Sequence, residues 1–207
     1  MASAGLLLTG GASRRMGVDK AALVLPGGRE TLAERTGRLL ESAAAPALEV
    51  GPGRSRLDAI ADEPPGQGPL AATACGVREL RRLGWSGPVM VVATDLPGLT
   101  AVFLRWLADH PSDRSVVPLA GGRPQPLCAR YRAEDLATAE DLVAGAKRAM
   151  SDLLARIDPL LVDPGEWCSV EGIHPPAGVD GLLADADTPA DLAMWTGPGD
   201  PRRSARR

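Results

Sequence analysis

The sequence predicts an α/β fold in three layers, with helices on both faces of a mostly parallel central sheet. Short apolar runs alternate with helix-like stretches along the chain. One run, residues 88–93 (PVMVVA), is β-branched and apolar on both faces, as a strand in the middle of a parallel sheet must be. The length of 207 residues suits one domain whose core needs neither a disulfide nor a structural metal.

Taken in order, residues 5–8 form a short apolar run that reads as a buried first strand, and a polar, glycine-rich loop follows over 9–20. Leu32, Leu39 and Leu40 recur at helical spacing and predict a first helix over 31–44. Residues 47–50 read as a weak second strand, ended by Gly51-Pro52-Gly53, and 57–61 as a third. Pro69 suits the first turn of a helix that runs to 83. After the central strand at 88–93 come a helix over 101–109, short strands at 115–118 and 125–131, helices over 134–144 and 149–157, and a strand at 160–163. Residues 164–180, rich in Gly and Pro, read as a long loop. Residues 182–184 read as a last strand and 189–195 as a last helix. Residues 1–196 are expected to make one domain. The segment 197–207 has no apolar anchor and is expected to be a disordered, arginine-rich tail.

Composition narrows the function. Hydrophobic residues make up 44% of the chain but aromatics only 3%, so the core is expected to be built of Leu, Val, Ala and Ile. A net charge of −3 argues against general nucleic-acid binding, which needs a dominant basic surface, and an anionic ligand must be held locally. The four tryptophans are scattered rather than grouped into a stacking platform. Cys75, Cys128 and Cys168 have no close pairing, as expected in a reducing cytoplasm. The apolar start ends at Leu8 with no basic residue before it, which fits neither a signal peptide nor a membrane span. Cys168 and His174 lack the spacing of a zinc site, and His110-Pro111 ends a helix without needing a catalytic role.

Residues 6–20, LLLTGGASRRMGVDK, carry the chemistry. Glycines let backbone N–H groups turn toward an anion, and cationic side chains neutralise a polyphosphate. The loop is neither a Walker A loop nor the G-x-G-x-x-G of dinucleotide folds. Leu8, Gly10, Gly11, Ser13, Arg15, Met16, Gly17, Asp19 and Lys20 fall on a pattern that resembles the signature of the MobA-like NTP transferases, with Thr9 in place of the usual alanine. Other segments resemble that family in the same order: Asp62 with Gly68-Pro69-Leu70-Ala71, Thr94-Asp95-Leu96-Pro97, Arg123-Pro124-Gln125-Pro126-Leu127, and Asp187-Thr188-Pro189-Ala190-Asp191-Leu192.

The resemblance implies a Rossmann-like nucleotidyltransferase fold and the transfer of a nucleotide from an NTP to a small phosphorylated acceptor. It assigns Lys20, Arg15 and Asp95 to catalysis. Leu8, Thr9, Gly10, Gly11, Ser13, Lys20, Gly51, Asp62 and Asp95 are the implied nucleotide contacts. Mg²⁺ is the implied cofactor, held by Asp95 and Asp187, and Arg123, Gln125 and Pro126 are implied on the acceptor side. Arg14 falls on a variable position. Each role has a plainer alternative: Asp95 and Asp187 are also placed to cap helices, and Lys20 could be a solvated lysine.

The expected substrates are GTP and molybdopterin, with no nucleic-acid or membrane partner. Transient contacts with other cofactor-biosynthesis proteins or molybdoenzymes are expected, and a monomer or weak homo-oligomer. Gly51, where such guanylyltransferases often carry asparagine, and the aspartates Asp185 and Asp187 leave CTP or another acceptor open. A nucleotide-binding module without turnover is a third reading.

Overall fold

The computed structural model describes residues 2–10, 19–62, 66–173 and 179–186. The expected helix at 189–195 and the tail at 197–207 lie outside them. Eight strands are present among the described residues. The first, β1 (Ala4–Leu8), is buried along its whole length. Helix α1 (Leu32–Glu41) opens with a capping box: the Thr31 hydroxyl accepts from the Glu34 N–H while the Glu34 carboxylate accepts from the Thr31 N–H, satisfying two donors the first turn would orphan. Strands β2 (Ala47–Val50) and β3 (Asp58–Ile60) follow, then α2 (Pro69–Arg82) with Pro69 in its first turn. Strand β4 (Val89–Ala93) leads to α3 (Ala101–Ala108), and β5 (Val116–Ala120) to a two-residue strand β6 (Arg123–Pro124) and β7 (Cys128–Tyr131). Helices α4 (Ala133–Ala144) and α5 (Met150–Leu154), strand β8 (Leu160–Val162) and helix α6 (Pro164–Cys168) complete the series.

The sheet runs β3-β2-β1-β4-β7-β5-β6, with β8 paired to β5. β3, β2, β1 and β4 are parallel and β7 is antiparallel to β4, so the sheet is mixed but largely parallel. As expected, β4 is central, flanked by β1 and β7. The period of two along β1 divides the core. Leu7 joins Leu40, Phe103 and Trp167 on one face, while Leu6 and Leu8 join Leu70, Leu80 and Tyr131 on the other. Helices therefore cover both faces. On the second face α2 lies unusually close: a Cβ on Gly76 would stand 2.7 Å from the Leu6 methyls and 2.9 Å from a Val50 methyl. Any larger residue there would force the packed Leu6 and Val50 side chains to shift.

Four expectations are corrected. Residues 164–180 are not wholly a loop, because Pro164–Cys168 is a helical turn anchored by Trp167, which is fully buried and edge-on to Phe103 at 5.4 Å. Residues 182–184 are not a strand: Val179–Leu182 is a 3-10 turn, and its backbone packs so tightly on Gly98 that a Cβ there would lie 2.2 Å from the Gly181 carbonyl. The core is not purely aliphatic either. Trp167, Tyr131 and Phe103 are its largest fully buried side chains among the described residues. The last helix before β8 is also shorter than 149–157, and β6 was not foreseen.

Trp167→Ala is expected to destabilise the fold by about 3–5 kcal/mol through the cavity it leaves, measurable by denaturant unfolding. A loss under about 1 kcal/mol would mean that the α6 turn contributes little to the core. No helix among the described residues is long and apolar enough to cross a membrane.

Candidate active site

The strand register gathers the sequence-selected residues at one edge. Leu8 pairs with both Val50 and Ala93, and Val50 with Ile60. The residues just past these strands are Thr9-Gly10, Gly51, Thr94-Asp95 and Ala61-Asp62, so all four pieces emerge side by side at the carboxyl ends of parallel strands. Ligands of open α/β sheets collect there. Because β7 runs the other way, its start lies at the same edge, and the Ala93 N–H donates to the Leu127 carbonyl at 2.8 Å.

A cleft of about 250 Å³ opens at this edge, lined by Leu8, Thr9, Gly10, Lys20, Thr94 and Asp95, with Asp19, Ala21, Pro69, Ala93 and Leu127. Lys20 Nζ stands 3.9 Å from Asp95 Oδ2, both side chains partly screened from solvent. Lys20 is thus not a solvated surface lysine. It is held in a 3-10 turn, Lys20–Ala22, whose Ala21 N–H donates to Asp19 Oδ1 at 3.1 Å. Asp95 does not cap α3: Thr100 does, accepting from the Phe103 N–H at 3.3 Å. Its carboxylate is left to face the cleft.

Gly51 and Asp62 stand behind Gly10. A Cβ on Gly10 would lie 3.6 Å from Asp62 Oδ2 and 3.8 Å from Gly51 Cα. Asp62 Oδ2 accepts from the Gly66 N–H at 3.2 Å, while Oδ1 is buried with no hydrogen-bond partner among the described residues. A buried carboxylate oxygen without a donor is costly, and a donor-rich ligand would relieve it. Gly51 has φ of 150°, and a Cβ there would meet Thr9 Oγ1 at 2.1 Å. The threonine hydroxyl occupies the space a side chain at 51 would need. Gly51→Asn is therefore expected to weaken nucleotide binding by about tenfold by displacing Thr9-Gly10, readable by titration; unchanged affinity would show that the edge repacks freely.

The remaining selected residues are distributed as follows. Arg123, Gln125 and Pro126 belong to the β5–β7 connection beside the cleft: Arg123 is exposed, and the Gln125 N–H donates to the Pro118 carbonyl at 2.8 Å. Leu127 rather than these three lines the cleft. Gly11, Ser13, Arg15 and Asp187 lie outside the described residues. The Ala186 N–H donates to the Asp95 carbonyl at 2.9 Å, which brings the chain around Asp185 against the metal candidate.

Among the described residues no three acidic, His or Cys side chains converge as a ready-made metal cage. Two carboxylates line the cleft: Asp19 is engaged by the Ala21 N–H and Arg54, and a carboxylate placed as Asp95 is suits a divalent ion such as Mg²⁺, which keeps water and substrate phosphates as its other ligands. His110 has a structural role, its Nδ1 accepting from the Ser112 N–H at 3.2 Å and its ring edge-on to Trp106. Burial and the nearby Arg130 charge hold that imidazole below its ordinary value, hence neutral at pH 7.

Sequence reasoning missed Glu49. It is fully buried and accepts from the Thr9 and Ser55 hydroxyls and from the N–H groups of Arg54 and Ser55. Burial alone would raise its carboxyl, but these donors outweigh it and hold the group below its ordinary value. The available signal was an acid inside an otherwise apolar strand, A-L-E-V.

A family model and curated relatives agree on one family. A family model described as a MobA-like NTP transferase domain matches residues 5–159. A protein of Mycobacterium tuberculosis named as a probable molybdenum cofactor guanylyltransferase is 36% identical over 183 residues, covering 85% of this chain and 90% of its own. A protein of Mycobacterium marinum with the same name is 33% identical over 203 residues, covering 95% of this chain and 94% of its own. Among solved structures, molybdopterin-guanine dinucleotide biosynthesis protein A of Archaeoglobus fulgidus superposes with a TM-score of 0.71 at 20% identity, over 91% of this chain and 94% of its own. The 2-C-methyl-D-erythritol 4-phosphate cytidylyltransferase of Thermus thermophilus gives 0.59 at 19% identity, over 94% of this chain and 97% of its own. At such identities the structures show a shared fold.

Proposed function

The chain belongs to the MobA-like NTP transferase family, and from that premise we propose that it transfers GMP from GTP to molybdopterin, releasing pyrophosphate. The observation that carries this reading is the meeting of Lys20 and Asp95 at 3.9 Å across the cleft, beside Gly10 at the carboxyl edge of the sheet. A cation for the phosphates and a carboxylate for a divalent metal stand where a triphosphate leaving the glycine turn would pass.

In this reading the acceptor's phosphate oxygen attacks the α-phosphorus of GTP in line and the P–O bond to pyrophosphate breaks. A phosphate monoester is already ionised near neutral pH, so the site needs no general base. Catalysis consists of positioning and charge neutralisation. Lys20 neutralises charge that develops on the phosphoryl oxygens, and Arg15 assists it from the loop. Asp95, with Asp187 as its second carboxylate, would hold Mg²⁺, which when bound supplies charge neutralisation for the pyrophosphate leaving group. Thr9, Gly10, Gly11 and Ser13 hold base and phosphates largely through backbone, and Asp62 Oδ1, which has no hydrogen-bond partner among the described residues, accepts from the base or ribose. Arg123, Gln125 and Pro126 face the acceptor. We place the reaction in the cytoplasm.

The test is pyrophosphate release from the purified protein with Mg²⁺, molybdopterin and each of the four NTPs in turn. GTP-selective release is expected. CTP selectivity would move the substrate assignment, since a residue without a side chain at Gly51 leaves base recognition to backbone and Asp62. Tight nucleotide binding without release from any NTP would remove the catalytic reading.

A further inference from the structure

The glycine loop has two described stems, Thr9-Gly10 where it leaves β1 and Asp19-Lys20 where it ends. Both are tied to the same buried group. Glu49 Oε1 accepts from the Thr9 hydroxyl, fixing the entry stem. Its two oxygens also take the Arg54 N–H at 2.7 and 2.9 Å, the Ser55 N–H at 2.7 Å and the Ser55 hydroxyl at 2.7 Å. The β2–β3 connection is thereby folded around a carboxylate supplied by the chain itself, as backbone N–H groups fold around an anion elsewhere. Ser55 reaches Glu49 because α1 has a glycine facing it: a Cβ on Gly37 would lie 2.9 Å from Ser55 Cβ. Oriented in this way, Arg54 extends to the exit stem, its Nη2 2.9 Å from Asp19 Oδ2. Asp19 in turn caps the turn that carries Lys20.

We propose that Glu49 is a positioning residue for the nucleotide, its buried carboxylate setting both stems of the phosphate loop and, through Arg54 and Asp19, the place of Lys20. The inference rests on the nucleotide reading of the cleft. Glu49 itself touches neither substrate nor metal. A carboxylate suits the site because both its oxygens face backbone N–H groups, which can only donate: the hydroxyls of Thr9 and Ser55 could turn to accept from glutamine, but its NH₂ would still face the Arg54 or Ser55 N–H. The Arg54–Asp19 link is exposed and adds little to stability, so its contribution is to geometry.

The test measures GTP affinity, in the presence of Mg²⁺, by calorimetry on the full chain and on three variants. Glu49→Gln is expected to raise the Kd for GTP about tenfold, the scale on which a small misplacement of a bound substrate is felt. Arg54→Ala, an exposed change that leaves the Glu49 cluster intact, is expected to raise it about threefold at an unchanged melting temperature. Leu107→Ala, a buried change in α3, is the control: it lowers the melting temperature and leaves GTP affinity alone. In turnover, Glu49→Gln raises the KM for GTP and leaves the KM for the acceptor unchanged.

Wild-type GTP affinity in both the Glu49 and Arg54 variants would reduce Glu49 to a structural residue and overturn the proposal, as would an equal rise in both KM values. If Glu49→Gln does not fold, Arg54→Ala alone decides. A wild-type protein that binds none of the four NTPs would instead overturn the nucleotide reading, and the positioning role with it.

Discussion

Asp95→Asn is expected to lower turnover by about a thousandfold while leaving the fold intact. The carboxylate follows the central strand, faces the cleft and lies 3.9 Å from Lys20. Asparagine keeps the size and loses the charge that a divalent cation requires. Stability should change little, because asparagine keeps the side chain's size and leaves the backbone bonds of this segment in place: the Asp95 carbonyl accepts from Ala186 and the Leu99 N–H donates to the Leu96 carbonyl. Helix α3 is capped by Thr100 in either protein. The measurement pairs a pyrophosphate-release assay with a thermal melt. Near-normal turnover in the asparagine variant would remove Asp95 from metal binding. Lost activity with a collapsed melt would show that the residue holds the fold rather than the reaction.

Lys20→Met is expected to cost about a hundredfold in turnover, the usual loss when one group that stabilises transition-state charge is removed. Methionine preserves the apolar stem that leads out of the buried turn around Ala21 and deletes only the ammonium. If Lys20 acts on the reacting phosphates, kcat falls more than affinity for GTP, because the interaction strengthens as charge develops. If it only attracts the nucleotide, KM rises and kcat is preserved. A Lys20→Arg variant separates charge from shape: guanidinium keeps the charge but cannot place it compactly, so partial recovery of GTP affinity with poor kcat is expected.

Most of the frame was legible because it follows from unbroken apolar runs. Residues 88–93 read as a central strand since no polar side chain interrupts them, and β4 is buried throughout. The spacing of Leu32, Leu39 and Leu40 marks α1, and Pro69 marks the first turn of α2. The failures have equally local causes. The α6 turn is five residues long and opens with Pro-Gly, too short to show a period, and what holds it is the tertiary burial of Trp167. Leu182 and Leu183 are apolar as a strand would be, but they reach the core from a 3-10 turn seated on Gly98. β6 has only two residues and contains a proline, so no propensity announces it. It exists because Arg123–Pro124 folds back on β5.

The site divides along the same line. Lys20, Asp95, Thr9 and Gly10 were selected from the resemblance to the family, and the cleft brings them together. Glu49 was invisible because its significance is relational: an acid in a weak strand means little until Thr9, Arg54 and Ser55 are seen to converge on it. Gly51 looked like a lost side-chain contact in the sequence. In space it is the complement of Thr9, whose hydroxyl fills the room that a Cβ at 51 would occupy.

Where the triphosphate lies decides whether Lys20 and Asp95 act on it. A crystal of the wild-type protein soaked with GTP and Mg²⁺ is expected to show the phosphates against Gly10 and within reach of Lys20, with the ion on Asp95. Ligand density elsewhere, with this cleft empty, would contradict it.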